Sequence, residues 1–230
     1  MNPATNMTDD WIKRALSQNP CAPVTKDGVA TGDYRTCPVR LSFPWLFKAS
    51  KPIPPNTEGK FGASLLFWPG ADLTVLKLAA AETAKAKWPK AGTPEGPKLK
   101  TPFLTQDEDC ERYIGYQPGG VLIRGTASKA MPVVDQNLAP IVEEAKVYPG
   151  VWAICTLRPF AYAKGVNNGV SFGLQAVMII ADDQNIGGTG SADPNTAFAG
   201  VKIEANLNPS ALFGADSSDA EAKAAADMFS

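Results

Sequence analysis

The sequence predicts a mainly β domain: a small, partly open antiparallel barrel with one α-helix, followed by a flexible acidic C-terminal tail. Three observations point there. The stretch Val147–Asp182 reads as a long hairpin, its two arms rich in β-branched and aromatic residues around Gly165-Val166-Asn167-Asn168-Gly169, a run that tolerates positive φ. Further extended stretches precede it, divided by Pro- and Gly-rich loops, for five or more strands in all. Within that body only Ala71–Lys87 shows a long helical period.

Residues 1–35 read as an N-terminal arm, with Pro3, Pro20, Pro23, Gly28 and Gly32 around one short helical candidate, Thr8–Gln18, that Thr8 would cap. The first strand is Thr36–Lys48. Its parity puts Cys37, Val39, Leu41, Phe43, Trp45 and Phe47 on one face and Arg40, Ser42 and Lys48 on the other, with Pro38 and Pro44 marking an edge or bend. A loop around Lys51 leads to Lys60–Trp68, a second strand. In the helix, Asp72 is the expected cap and Leu73, Leu76 and Ala80 the inner face; Trp88-Pro89 ends it. Pro89–Lys100 is a basic loop, Gln106–Arg112 an acidic one, Gly120–Thr126 a strand and Met131–Val134 a short extended piece.

In the first arm of the hairpin, Val151, Ala153, Cys155, Leu157, Ala161 and Ala163 form a small apolar face. Trp152, Ile154, Thr156, Arg158, Phe160, Tyr162 and Lys164 form the other. That second face mixes rings with cations, which burial alone does not require: rings stack on bases and cations answer phosphates. The plain alternative is that Phe160 and Tyr162 pack under a loop while Arg158 and Lys164 are solvated.

Composition narrows the chemistry. The chain has 230 residues, 44% hydrophobic and 9% aromatic, enough for a core. No apolar run approaches the ~18 residues that cross a bilayer, and the N-terminus carries no signal-like pattern, so a cytosolic protein is the expectation. With no histidine, Ser-His-Asp and Cys-His nucleophilic chemistry is excluded. Cys21, Cys37, Cys110 and Cys155 form no CxxC pair, so neither a zinc site nor any cofactor is implied, and reduced, structural thiols are expected. The net charge of −1 hides an asymmetry: residues 182–230 hold eight acidic and two basic residues, leaving a body with 20 basic and 15 acidic ones. A basic body with an acidic tail suits a polyanion binder that carries its own competitor.

Among small barrels, the oligonucleotide-binding (OB) fold is partly open and offers a strand face to single strands; a β-sandwich is the alternative architecture. The motifs add a resemblance. Val39–Lys48 (VRLSFPWLFK) and Lys60–Phe67 (KFGASLLF), then PVVD at 132–135, VYPG at 147–150, RPFAY at 158–162 and GVSFGLQAV at 169–177, are similar to a bacteriophage family of single-stranded DNA-binding proteins, itself similar to the T7-type replication protein. The similarity spans roughly residues 36–188. It implies an OB domain over 36–188, binding of single-stranded DNA without sequence preference during replication or recombination, and action in the infected host's cytoplasm. It also implies that the tail, residues 189–230, docks a polymerase, helicase or recombination protein. T7-type tails end in Phe, whereas here Ser230 follows Phe229 and Lys223 dilutes the charge.

The stacking candidates are therefore Trp45, Phe61, Trp152, Phe160, Tyr162 and Phe172, and the phosphate candidates Arg40, Lys48, Lys51, Lys60, Arg124, Arg158 and Lys164. Two or three of the rings are expected in the core, Trp45 and Phe61 first because parity places them among apolar neighbours, and Trp68 with them. Asp216, Asp219, Glu221, Asp227 and Phe229 are the tail residues expected to meet a partner. Two other classes compete: a phage head or tail protein, and a magnesium-dependent nuclease using Asp107–Glu111.

Overall fold

A computed structural model describes residues 5–52, 57–164 and 167–187. The tail candidates Asp216, Asp219, Glu221, Asp227 and Phe229, and the hairpin tip Gly165-Val166, lie outside the described residues. The elements run α1 (Asp9–Gln18), β1 (Ala22–Lys26), β2 (Val29–Arg35), β3 (Val39–Trp45), β4 (Phe61–Phe67), α2 (Thr74–Lys87), β5 (Leu104–Thr105), β6 (Val121–Ala127), β7 (Val133–Val134), β8 (Trp152–Lys164) and β9 (Asn167–Ala181). No described helix is long and apolar enough to cross a membrane.

Five strands close on themselves. β8 pairs with β3, β3 with β4, β4 with β6 and β8 with β9, all antiparallel, and a short parallel pairing of β6 with β9 (Gly125 with Phe172, Thr126 with Gly173) completes the ring. Four antiparallel contacts and one parallel closure are the connectivity of an oligonucleotide-binding barrel, with β4 and β6 as its second and third strands. β8 and β9 are paired from Trp152–Ala181 out to Lys164–Asn167, so the long hairpin is present as predicted.

The interior follows from the alternation of strand side chains. Val39, Leu41, Leu65, Phe67, Ile123, Ala153, Cys155, Leu157, Phe172, Leu174 and Val177 are buried in one cluster, and α2 closes it with Leu73, Leu76, Ala80 and Ala84. Thr8 caps α1 as expected, its hydroxyl accepting from the Trp11 amide. At α2 the cap position is Leu73, yet the Asp72 carboxylate still accepts from the Thr74 amide at 2.9 Å. Residues 22–35, expected within an arm, form a hairpin that joins the sheet through β2 and β8.

Three residues expected at the surface are enclosed. Trp152 points outward from the barrel as parity requires, but α1 lies over it. Its ring sits edge-on to Trp11 at 5.3 Å and against Trp68 at 5.9 Å, leaving it fully buried. Phe172 faces the interior, edge-on to Phe103. Arg40 is covered by the chain leaving β9: its Nε donates to Gly150 O at 3.1 Å and its Nη2 to Gln184 O at 2.9 Å, and Nε lies 3.4 Å from Asp183 Oδ2.

Asp183 organises this end of the barrel. It accepts from Thr5 Oγ1 (2.5 Å), the Asn6 amide (2.6 Å), Trp152 Nε1 (2.8 Å) and the Gln184 amide (2.7 Å). Burial alone would raise its pKa, but these hydrogen bonds outweigh burial and hold the carboxyl below its ordinary value. Asp183→Ala should therefore cost about 3–5 kcal/mol in urea denaturation, because it leaves the Arg40 charge buried without a partner. With the folded pKa depressed, the carboxylate's contribution is complete above the unfolded value of about 3.9 and fades as pH falls through the folded one. Wild type should thus lose stability in acid more steeply than Asp183→Asn.

Candidate nucleic-acid interface

The exposed rings gather where β3 breaks its own alternation. Strict parity would bury Phe43 and Trp45 with Val39 and Leu41. Instead the β3–β4 register shifts between Ser42 and Trp45, a bulge containing Pro44, and Phe43 adopts a φ of 48°. A bulge re-aims the side chains beyond it. Phe43 and Trp45 therefore turn outward, 49% and 46% exposed, and Leu46 takes the buried place. The expectation that Trp45 sits in the core is corrected by this one irregularity.

These rings form one wall of an open groove of about 430 Å³. Its floor is laid by β4 and β6: Phe61, half-buried, then the small residues Gly62, Ala63, Ser64, Gly125 and Thr126. Gly62 is required there, since its φ is 152° and a Cβ would stand 2.3 Å from Gly125 O. Lys60, immediately before β4, and Arg124, in β6, also line it.

The opposite wall is the segment between β5 and β6, which carries Asp109, Arg112, Tyr113 and Tyr116. Sequence reasoning took its acidic start as a solvated loop or metal site and missed the aromatic part. The buried Gln106 side chain pins it: Nε2 donates to Phe67 O (2.9 Å) and Val121 O (2.8 Å), and Oε1 accepts from the Gln117 amide (2.9 Å). Asp107 is used in the same way, accepting from the Gly119 amide and Thr105 Oγ1, bonds that hold its carboxyl below the ordinary value. Tyr113 meets Phe43 edge-on at 5.6 Å across the groove, lies 5.3 Å from Tyr116, and has the Arg112 guanidinium 5.3 Å over its ring. The Tyr116 hydroxyl donates to Ser42 Oγ at 3.3 Å, and burial raises its pKa.

A second concavity of about 450 Å³ continues from the first, sharing Lys60 and Thr126. Lys129, Phe160 and Gln175 line it, so it leads from the β4–β6 floor onto the outer face of the β8–β9 hairpin. Farther out on that face Tyr162 is half-buried and Lys164 exposed.

The predicted cations divide into three groups. Lys60 and Arg124 stand in the groove, and Arg112, unforeseen, joins them. Among the described residues none of these three is in an ion pair. Lys48 and Arg158 are exposed but engaged, Lys48 with Glu144 at 2.9 Å and Arg158 with both Asp33 oxygens at 2.7 and 2.8 Å. Lys51 and Lys164 are exposed outside both concavities, and Arg40 is buried. A trough with flat rings on its walls, small residues on its floor and unpaired cations along it fits a flexible, flat-ringed polyanion.

Comparison with known proteins agrees with the barrel. The single-stranded DNA-binding protein of bacteriophage Enc34, in complex with ssDNA, aligns with a TM-score of 0.57 at 19% identity, covering 72% of this chain and 98% of that one. Its C-terminal truncation gives 0.57 at 18% over 71% and 96%, and a further structure of that protein gives 0.53 at 20% over 77% and 98%. No curated protein matches. The family model described as Enterobacter phage Enc34, ssDNA-binding protein, matches residues 32–207. That match spans well over half of the sequence, and the chain belongs to the Enterobacter phage Enc34 single-stranded DNA-binding protein family.

Proposed function

We propose that this chain binds single-stranded DNA without reading its sequence, and does so as a non-enzymatic protein in the cytoplasm of an infected cell, protecting single strands during replication or recombination. The observation that carries the reading is the bulge at Phe43–Pro44, which turns two large rings out of the core to face a cationic strand surface. Family membership and the Enc34 protein's complex with ssDNA support it.

In this reading Phe43, Trp45, Phe61 and Tyr113 offer stacking faces, and Lys60, Arg112 and Arg124 follow the backbone. Phe160 and Lys129 extend the track toward Tyr162 and Lys164 on the hairpin. Lys48, Lys51 and Arg158 border this surface as secondary cations; Lys48 and Arg158 must first exchange a carboxylate for a phosphate. Stacking discriminates little, because every base has a π-face, and duplex DNA hides those faces inside its own stack.

Fluorescence anisotropy with labelled oligo-dT tests this directly. Trp45→Ala and Phe43→Ala should each weaken binding by about 1–3 kcal/mol, roughly 5- to 150-fold, with the thermal midpoint little changed. Trp152→Ala should instead lower stability. Arg124→Ala should reduce the slope of log affinity against log salt by about 0.7, the share of one phosphate contact on a single strand. Equal affinity for matched duplex, or Trp45→Ala binding as wild type does, would overturn the reading.

The tail is assigned a regulatory part in the same reading: residues 189–230 compete with DNA for the cationic surface and, once displaced, present Asp216, Asp219, Glu221, Asp227 and Phe229 to a partner protein. Its composition supports this, with a strong acidic excess against a basic body. Deleting residues 206–230 should tighten binding to oligo-dT, most clearly at low salt where opposite charges are least screened. Unchanged or weaker binding would remove the tail from this role.

A further inference from the structure

Of the four cysteines, two meet. Cys21 immediately precedes β1 and Cys37 lies between β2 and β3, and the pairing of Ala22 with Arg35 draws the two together. The Cys37 amide donates to Cys21 Sγ at 3.2 Å. The Cys37 side chain lies against the same sulfur. Both residues are buried, but Cys37 also lines a mostly apolar surface cavity of about 450 Å³ between α1 and the turn before α2, with Ile12, Leu16, Trp68 and Asp72. Cys37 is thus reached by small molecules through this cavity, and Cys21 beside it keeps 7% of its own surface exposed.

We propose that Cys21 and Cys37 are a hydroperoxide-sensitive dithiol, in which Cys21 is oxidised first and Cys37 resolves it to an intramolecular disulfide. The Cys21 thiolate attacks one oxygen of hydrogen peroxide, the O–O bond breaks, and the departing hydroxide takes up the proton Cys21 has shed. Cys37 sulfur then attacks the sulfenic sulfur. The S–S bond forms as the hydroxyl leaves with the Cys37 proton as a second water. Two thiols are oxidised and one peroxide is reduced.

The roles follow from the amide that Cys37 aims at the Cys21 sulfur. The Cys37 side chain and amide hold Cys21 below the ordinary thiol pKa, against the opposing effects of burial and Asp72. The neighbouring Cys21 sulfur and burial push the Cys37 thiol up, so it stays protonated until it resolves. The other two thiols lack such a setting. Cys155 is fully enclosed and burial pushes its pKa up. At Cys110 burial and the carboxylates of Asp107, Asp109 and Glu111 raise it, and its thiol donates to Gln106 O. Low pKa beside a resolving thiol is what makes a sulfur selective.

Peroxide treatment of the folded full-length protein, followed by alkylation, trypsin and mass spectrometry, tests this. Trypsin separates the two sites, because Lys26 and Arg35 lie between them. Wild type should give a disulfide-linked pair of peptides containing Cys21 and Cys37, two hydrogens lighter than their sum and restored by dithiothreitol. Cys37→Ser should leave a dimedone-trapped sulfenic acid at Cys21. Cys21→Ser should leave Cys37 unlabelled. Oxidation appearing first at Cys110 or Cys155, dimedone on Cys37 in Cys21→Ser, or no oxidation of Cys21 in wild type would overturn the proposal. Wild-type mapping needs no variant to fold, and none of these readouts depends on nucleic acid.

Discussion

A single buried carboxylate, Asp183, ties the N-terminal segment, which lies outside the sheet, to the paired strands β3 and β8. It receives the N-terminal segment at Thr5 and Asn6, the base of β8 through Trp152, and β3 through the Arg40 charge. A charge so deep in the protein is tolerated only where partners replace the water it has lost. Here they come from three separated stretches, so each depends on the others being in place. The covering of Trp152 by α1, the enclosure of Arg40 and the route of the chain out of β9 all follow from satisfying that one group.

The groove rests on a different economy of constraint. A closed ring of five strands fills its inside with side chains, so any ring aimed outward must find another use. At β3 the bulge sends Phe43 and Trp45 out in succession, and the small residues of β4 and β6 leave room in front of them. The facing wall has no regular structure to hold it, and the Gln106 amide takes that place by bonding two strand carbonyls and one loop amide. A buried side-chain amide satisfied on both ends fixes a loop much as a short strand would.

Much of the fold was legible because it is local. The β8–β9 hairpin, β3, β4, β6, α2 and the Thr8 cap each carry their signal within a few residues. The ring closure does not: β6 and β9 pair through Gly125, Thr126, Phe172 and Gly173, too short and too distant in sequence to leave a pattern. Parity correctly put Trp152 on the outer face, but it cannot say that α1 will lie there. It failed for Trp45 because one extra residue at Phe43–Pro44 turns Trp45 out and Leu46 in. The β1–β2 hairpin was readable and passed over: Asp27-Gly28, both at positive φ, is the turn that right-twisted antiparallel strands prefer. Arg112, Tyr113 and Tyr116 gave no period to detect, since a loop pinned by a distant glutamine obeys none.

The meeting of Thr5 and Asn6 with Asp183 has a topological consequence. The first and last described stretches of the body meet there, around residues 5–6 and 183. New ends opened at the exposed Asp27-Gly28 turn, with the old ones joined, would sever no pairing of the five-stranded ring.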